Sequence, residues 1–334
     1  MNDTLFGGSN SELQRPDGYR FRFIDLFAGI GGMRIAFESF GGDCVFSSEW
    51  DESCKKTYFA NFNEVPFGDI TAINANSIPE FDILLAGFPC QPFSTIGQRA
   101  GFLHKTQGTL FYDVLRIINH KKPIAFLLEN VVGLVNHDKG RTFETIKDSL
   151  ISEGYDLHYK ILDSAAFGVP QIRKRIYIVG FLKSANNNGI DFDWPEPEKH
   201  LVGIGQFLES NVIGYSISEH LQKSYIFKLN DGRPQIVDKK SEFPVKTLVA
   251  SYHKIQRLTG TFVSDGPTGL RLFTESECKV IMGFPSDFQI PVSRTQMYRQ
   301  MGNSVAVPVI KAIADKMTLV LSNMRKGKKA KISA

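Results

Sequence analysis

The chain has few cysteines, no long apolar run and little net charge, and each shortage excludes a class of protein. Its four cysteines share no C-x-x-C spacing and have no histidine pair nearby, so the sequence predicts neither a disulfide framework nor a zinc site. No apolar run approaches the roughly 20 residues of a membrane-spanning helix, and the polar residues 1–20 lack a signal-peptide core. We therefore expect a cytoplasmic protein with free thiols, no metal and no membrane partner.

The net charge of +4 comes from the end of the chain. Five basic residues lie there without an acid: Arg325, Lys326, Lys328, Lys329 and Lys331. Without them, 34 basic residues face 35 acidic ones, so bulk charge indicates neither a nucleic-acid partner nor its absence. A content of 42% hydrophobic and 22% charged residues is typical of a globular protein.

Acidic residues are missing from three long stretches of the sequence. Residues 91–112, 164–190 and 243–264 contain none, and each stretch carries several basic side chains. Two interpretations stay open: these are solvated loops that happen to lack acids, or they are segments that face a polyanion.

Short apolar runs alternate with amphipathic stretches from Phe21 to Phe181, which predicts an α/β fold with a doubly wound, mostly parallel sheet. The runs predicted as strands are 21–27, 44–48, 83–88, 124–128 and 176–181. After Phe181 the alternation stops, and the β-rich runs 225–229, 245–250 and 260–263 lie among glycines and prolines. Helical patterns return at 274–282 and 305–321.

This pattern divides the chain into three parts. Residues 1–20 are predicted to be a flexible lead-in. Residues 21–200 plus 295–334 form the larger domain, which would carry the catalytic and cofactor sites. Residues 201–294 form a smaller, irregular β-rich domain with a hinge.

Ligands of open parallel sheets bind beyond the carboxyl ends of the strands, so the residues there are candidate site residues. The first strand runs into Ala28-Gly29-Ile30-Gly31-Gly32, where glycines let the backbone approach a ligand and leave a helix N-terminus open to a negative group. Glu49 follows Gly29 by twenty residues and ends the second strand, where an acid can accept hydrogen bonds from both ribose hydroxyls. Together these features indicate an adenosine-containing cofactor.

Three further side chains follow predicted strands. Asp69 is interpreted as the end of a third strand, where it would accept from an adenine amino group, and a simple Asx turn is an equal alternative. Cys90 ends the next strand, where a nucleophile would be exposed at a cleft. Glu129 follows four apolar residues, a setting that can raise a carboxyl pKa enough for proton donation, although an acid there can also cap a helix. The other cysteines fit better as small buried side chains.

In their order along the chain, these segments resemble the motifs of the C5-cytosine DNA methyltransferases, a family typical of bacterial restriction–modification systems. The matching segments are residues 25–32, 49–51, 87–94, 108–111, 129–131, 171–175, 271–272 with Glu275, and 300–305. Gln107 stands where an arginine is common, which puts little in doubt. The resemblance implies the S-adenosylmethionine-dependent methyltransferase fold, with the smaller domain as the target-recognition domain.

The resemblance also implies the catalytic residues, which are Cys90, Glu129, Arg173 and Arg175. A Cys90 thiolate would add to C6 of a flipped-out cytosine, and protonated Glu129 would donate to N3 while it reads the exocyclic amine. Arg175 would reach O2, and Arg173 would support the same pocket or bind a phosphate. C5 then takes the methyl group from S-adenosylmethionine, which leaves as S-adenosylhomocysteine. No residue stands out as the base that removes the C5 proton.

Contacts to the cofactor and to DNA follow from the same resemblance. The cofactor residues are Phe27 (against the adenine), Gly29, Gly31, Glu49, Trp50, Asp69, Asn303 and Ser304. Phe27 can also be a core residue, and Asn303-Ser304 an N-cap of the last helix. The DNA candidates are Arg99, Lys105, Tyr252, His253, Lys254, Gln256 and Arg257, with residues 91–112 as a lid over the flipped base.

The expected function is methylation of a cytosine C5 within a specific sequence of double-stranded DNA. A monomer would act on the DNA and protect it from a restriction endonuclease with which it forms no stable complex. An RNA (tRNA) cytosine-C5 methyltransferase with the same motifs is the alternative. A nicotinamide-dependent oxidoreductase would share the Gly29 and Glu49 pattern but would need no Pro-Cys motif, and a catalytically idle DNA-binding protein would need neither Cys90 nor Glu129.

Overall fold

A computed structural model describes residues 18, 20–89, 110–183 and 189–332, with side chains in the last helix as far as Arg325. The strands are β1 (Phe21–Leu26), β2 (Gly42–Ser48), β3 (Ile83–Gly87), β4 (Ala125–Val131), β5 (Tyr155–Asp163), β6 (Lys174–Leu182), β7 (Gln235–Val237) and β8 (Thr261–Val263). The helices are α1 (Gly32–Glu38), α2 (Glu52–Phe62), α3 (Leu110–Lys121), α4 (Gly133–Asn136), α5 (Arg141–Ser152), α6 (Glu219–Leu221), α7 (Glu275–Met282), α8 (Arg294–Asn303) and α9 (Val307–Ile332). None of the helices described is long and apolar enough to cross a membrane.

Six strands form one sheet in the order β2-β1-β3-β4-β6-β5. The pairs among β1, β2, β3 and β4 are parallel, whereas β6 runs antiparallel to both β4 and β5. The predicted α/β class with a mostly parallel sheet is therefore confirmed. The parallel strands point their carboxyl ends to one edge of the sheet, and this edge is where a ligand is expected.

The two faces of the sheet carry separate apolar cores. Successive side chains of a strand point to opposite faces, so Phe23 of β1 belongs to one core and Ile24 to the other. Helices α1 and α9 cover the first face, and α3 and α5 cover the second. Strands buried on both faces appear in the sequence as continuous apolar runs, which explains why these strands were predictable.

Two parts of the sheet region differ from the prediction. Asp69 does not end a strand: Phe67 makes only an isolated bridge to Ser48, and the Asp69 carboxylate accepts the Thr71 N–H (3.0 Å) at the start of the 3-10 turn Ile70–Ala72. The Asx-turn alternative is the one the structure shows. Strand β5 was not predicted, because it is an edge strand whose half-exposed side chains form no apolar run.

The smaller domain, residues 201–294 by the predicted boundaries, is also irregular. Most of its apolar residues form a third core together with the buried faces of α7 and α8. Strands β7 and β8 make a two-stranded parallel ribbon. The predicted β-rich run 225–229 instead begins within the helical turn Gln222–Ile226, and the only β-bridge described for run 245–250 joins Val245 to Gln171.

A buried ion pair organises this third core. Arg271 is fully buried, and its guanidinium donates to both carboxylate oxygens of Glu277 at 2.8 Å, while Asp265 accepts from its Nε at 2.8 Å. Glu277 also accepts the N–H groups of Thr274 and Glu209, so its four acceptor positions are used. Glu275, the acid in the sequence motif, instead forms a pair with Lys279 near the surface (2.9 Å).

We expect Glu277→Ala to lower the free energy of unfolding by about 3–5 kcal/mol, because it leaves the Arg271 charge buried without its bidentate partner. The matched control is Glu275→Ala in the same turn of α7, which should cost less than about 1 kcal/mol because it removes only a surface pair. Urea denaturation followed by circular dichroism measures both. Equal losses in the two variants would contradict this account.

Candidate active site

A cleft of about 610 Å³ opens at the carboxyl ends of the parallel strands. It gathers residues that are far apart in the sequence, and most of the predicted site residues line it: Phe27, Gly29, Glu49, Trp50, Asp69, Glu129, Arg173, Arg175, Asn303 and Ser304. Pro89, which directly precedes Cys90, lines it as well. Cys90, Arg99 and Lys105 lie outside the described residues, as does most of the predicted lid.

Glu49 is held in place by two backbone N–H groups. Gly29 donates to its Oε2 at 2.8 Å, and Asp51 donates to its Oε1 at 2.8 Å. Burial raises the pKa of Glu49, and these N–H groups oppose that rise. Each carboxylate oxygen has a second lone pair, so the fixed group can still accept hydrogen bonds from a ligand's hydroxyls.

Two aromatic side chains give the cleft apolar walls. Trp50 is 70% exposed, although indole rings are usually buried in folded proteins. Phe27 has a φ of 56°, which is unusual for a bulky residue, and its half-buried ring packs against the core under α3. A flat heteroaromatic ligand would cover exposed aromatic surface of this kind.

Gly31 is an exception among the predicted cofactor residues, because it does not line the cleft. Its φ of 87° places it just before α1, and a Cβ there would lie 2.3 Å from the Phe62 ring. Gly31 is therefore required for packing α1 against α2. Its neighbour Gly32 lines the cleft instead, and a Cβ at that position would lie 3.0 Å from Oγ of Ser304.

Asn303 and Ser304 end helix α8 and do not cap α9, which begins at Val307. The Ser304 N–H donates to the carbonyl oxygens of Gln300 (3.0 Å) and Met301 (3.2 Å), which closes the last turn of α8. Both residues line the cleft opposite the glycine loop. The N-cap interpretation is therefore wrong.

Glu129 and Arg175 form a pair inside the cleft, with 3.1 Å between Oε1 and Nε. Their side chains are only 12% and 15% exposed. Burial raises the pKa of Glu129, whereas the charges of Arg175 and Arg173 oppose the rise. Glu129 lies within β4 and is not a helix cap, and its strand partner across the sheet is Gly87, three residues before Cys90.

Arg173 is a buried residue whose two terminal nitrogens bind the protein itself, whereas its Nε has no hydrogen-bond partner among the described residues. They donate to the carbonyl oxygens of Leu248 (3.2 Å), Gly302 (3.0 Å) and Ser304 (2.7 Å). Burial lowers the pKa of Arg173 to about 10. Of the two predicted roles, this geometry fits support of the pocket and leaves the phosphate contact without a basis.

The predicted DNA residues separate into two groups. Tyr252 is buried, donates to the Thr261 carbonyl oxygen (2.7 Å) and stacks on Phe273, so its ring cannot read a base edge. Arg257 is also buried and bonds to backbone carbonyls and to Asp231, which again does not fit the prediction. By contrast, Lys254 and Gln256 are exposed and His253 is half-buried.

Sequence reasoning missed Asp25. This carboxyl lines the cleft, is 1% exposed, and its Oδ2 has no hydrogen-bond partner among the described residues. Burial raises the pKa of Asp25 to about 8, Arg34 opposes the rise, and Glu49 adds to it. An acid in an apolar strand just before a glycine loop was the signal. A buried oxygen without a protein partner is suited to a contact with a ligand in the cleft, because burial without a hydrogen bond is otherwise costly.

The described cysteines are poor nucleophiles. Burial raises the pKa of Cys44 to about 12 and also raises the pKa of Cys54 and of Cys278, so their thiols stay protonated at neutral pH. Cys54 nevertheless lines the cleft. It therefore offers a control thiol close to the reaction.

We expect Asp25→Asn to remove a pH dependence of stability from the ligand-free protein. Folded Asp25 keeps its proton up to about pH 8, whereas the unfolded chain loses it near pH 4. Unfolding therefore releases a proton between these values, and the wild type should lose up to about 1.4 kcal/mol per pH unit relative to the variant as pH rises. Urea denaturation of both proteins from pH 4 to pH 8 measures this difference, and a constant difference would contradict the assignment.

Comparisons with known proteins agree with the geometry. The C-5 cytosine-specific DNA methylase family matches residues 21–319. The type II methyltransferase M.MspI of Moraxella is 59% identical over 313 residues, which is 93% of this chain and 74% of that protein. M.BsuFI of Bacillus subtilis is 56% identical over 98% of this chain and 80% of its own length. A solved structure of Spodoptera frugiperda DNMT2 has a TM-score of 0.72 at 22% identity over 90% of this chain and 99% of that one, which shows a shared fold.

Proposed function

The chain belongs to the C-5 cytosine-specific DNA methylases, and from that premise we propose that it methylates C5 of one cytosine within a specific sequence of double-stranded DNA. The observation that carries the proposal is the cleft. It brings the Glu129–Arg175 pair next to the chain segment that leads into Cys90 and places both beside the Glu49 and Trp50 wall.

The residues of the cleft fit S-adenosylmethionine. Glu49 would accept hydrogen bonds from the ribose hydroxyls, and Phe27 and Trp50 would flank the adenine. The Asp25 carboxyl would face the positive charge on the ligand, which would lower its pKa and favour the carboxylate form. When bound, S-adenosylmethionine supplies an electrophilic methyl group on a cationic sulfur and leaves as S-adenosylhomocysteine.

The Glu129–Arg175 pair matches the edge of a flipped-out cytosine. N4, N3 and O2 are adjacent on that edge and present a donor, an acceptor and an acceptor. A protonated Glu129 can accept from N4–H and donate to N3, while Arg175, 3.1 Å away, can donate to O2. Thymine has an acceptor and a donor at the first two positions, so the same pair would reject it.

Covalent addition then makes C5 reactive. The Cys90 thiolate forms a bond to C6, and the electron pair that this displaces moves through the ring to N3, where Glu129 delivers a proton. C5 thereby becomes nucleophilic enough to take the methyl group. Loss of the C5 proton to water and cleavage of the S–C6 bond restore the aromatic ring and regenerate the thiolate, and the N3 proton returns to Glu129.

Further parts of the proposal concern the setting of the reaction. The protein would act as a monomer in the bacterial cytoplasm, with residues 201–294 as target-recognition domain, and its methylation would block a restriction endonuclease. The DNA substrate is favoured over RNA because the relatives at 43–59% identity are named type II methyltransferases. Competition between duplex DNA and tRNA in a methyl-transfer assay tests this choice.

We expect Cys90→Ala to abolish transfer of labelled methyl groups from S-adenosylmethionine to duplex DNA while DNA binding persists. Cys54→Ala, the control in the same cleft, should keep most of the activity because its protonated thiol takes no part. DNA that contains 5-fluorocytosine should trap the wild type covalently. Peptide mapping of the adduct to a cysteine other than Cys90 would refute the mechanism.

We expect Glu129→Gln to lower the rate of methyl transfer at least about 100-fold, because glutamine cannot deliver a proton to N3. Glu153→Gln, which alters a surface pair with Lys122, is the control and should leave the rate unchanged. Single-turnover assays on duplex DNA measure both rates. Cofactor affinity, measured by calorimetry, should be unaffected in both variants, and a Glu129→Gln enzyme with near wild-type turnover would overturn the assignment.

A further inference from the structure

A loop of the smaller domain presents an unusual combination of exposed side chains. It spans residues 227–233, between the helical turn Gln222–Ile226 and strand β7, and every one of its residues is exposed. Phe227 is 50% exposed and Leu229 is 60% exposed, in a loop that also carries two basic residues. We call this segment the 227–233 loop.

Arg257 fixes the loop to the rest of the domain. Its guanidinium is buried and donates to the carbonyl oxygens of Ile226 (3.0 Å, from Nε) and Leu229 (3.0 Å, from Nη2) and pairs with Asp231. The Arg257 N–H lies 3.4 Å from the Tyr225 hydroxyl oxygen, which accepts it. One side chain thus bonds to both ends of the turn 226–231. The backbone that carries the exposed side chains of the loop is therefore held in a fixed position.

The charge of the braced loop suits a polyanion. Asp231 is the one acidic residue of the loop, and Arg257 neutralises it. Lys228 and Arg233 then leave the loop with net positive charge. The exposed residues Lys254 and Gln256 lie on the segment that contains Arg257, and residues 243–264 contain no acid.

The loop is connected to the catalytic cleft through a hydrogen-bonded segment. The Leu248 carbonyl oxygen accepts from Arg173, and its N–H donates to Oε1 of Gln171 (2.7 Å). Ala250 packs so closely on Gly302 that a Cβ on that glycine would lie 2.2 Å from the Ala250 nitrogen. Arg257 is seven positions after Ala250, a span of at most about 25 Å, so the loop's anchor lies within roughly seven base-pair steps of Ala250.

We propose that the 227–233 loop reads base edges of the duplex around the target cytosine, with Arg257 as the positioning residue that sets the loop. This inference rests on the proposed function and assigns sequence choice to residues outside the predicted segment 252–257. Polar Asn230 and Arg233 are suited to hydrogen bonds with base edges, and Leu229 is suited to a thymine methyl group or a base step. The predicted roles of Tyr252 and Arg257 in direct readout are replaced by support of this surface.

The test compares the sequences that each enzyme methylates. Wild type and variants act on a pool of duplexes with randomised positions around a cytosine, and bisulfite sequencing reports which cytosines are modified. We expect Asn230→Ala combined with Arg233→Ala to lower the preference for the wild-type sequence over single-base variants by roughly tenfold, with methylation retained. Lys239→Ala, an exposed basic residue in the turn after β7, is the matched control and should leave the preference unchanged.

Arg257 is tested separately, because its removal can weaken the fold. Arg257→Met should relax the same sequence positions and expose the loop to limited proteolysis, and Arg257→Lys should restore neither, since lysine cannot make three separate bonds of this geometry. An unchanged sequence preference in the variant that combines Asn230→Ala with Arg233→Ala overturns the inference, even if Arg257→Met fails to fold. A wild type that methylates no duplex would instead overturn the proposed function, so the two failures are distinguishable.

Discussion

The three hydrogen bonds from Arg173 to backbone carbonyl oxygens hold the active site together. They join the start of β6, which carries Arg175, to the end of helix α8 at the cleft and to Leu248 of the smaller domain. A guanidinium is suited to this task because its donors point in several fixed directions at once. The Glu129–Arg175 pair, the end of α8 and the smaller domain are therefore positioned relative to one side chain.

Around that point the protein keeps several ionisable groups out of water. Asp25, Glu129 and Arg173 are all buried at the cleft. Burial raises the pKa of the two acids and lowers the pKa of Arg173, so it favours the neutral form of each group. Such groups reduce the stability of the folded chain unless something compensates for their desolvation. In the cleft, the compensation for Asp25 and Glu129 would come from the charges and hydrogen-bonding edges of the two ligands. In the smaller domain, the buried charges of Arg271 and Glu277 compensate each other directly, because the two side chains form an ion pair.

The sequence was sufficient to predict the sheet and most residues of the cleft, because buried parallel strands and the turns after them have strong local patterns. It failed where the outcome depends on contacts between distant segments. Gly31 serves a helix contact with Phe62, and Arg257 is turned inward by carbonyl groups that lie 28 to 31 residues away. Asp25 escaped notice because its importance lies in a missing partner, which only coordinates reveal.

The close approach of Gly302 to Ala250 also bears on how new specificities can arise in this protein. Two backbones in direct contact allow no side chain between them, so this joint admits almost no variation. Exposed loops that take no part in this contact, such as the 227–233 loop, are free to diverge. A chimera that exchanges residues 201–294 should therefore retain the native residues around Ala250, so that they still fit Gly302. A larger side chain at position 302 would separate the two backbones and shift the smaller domain relative to the cleft.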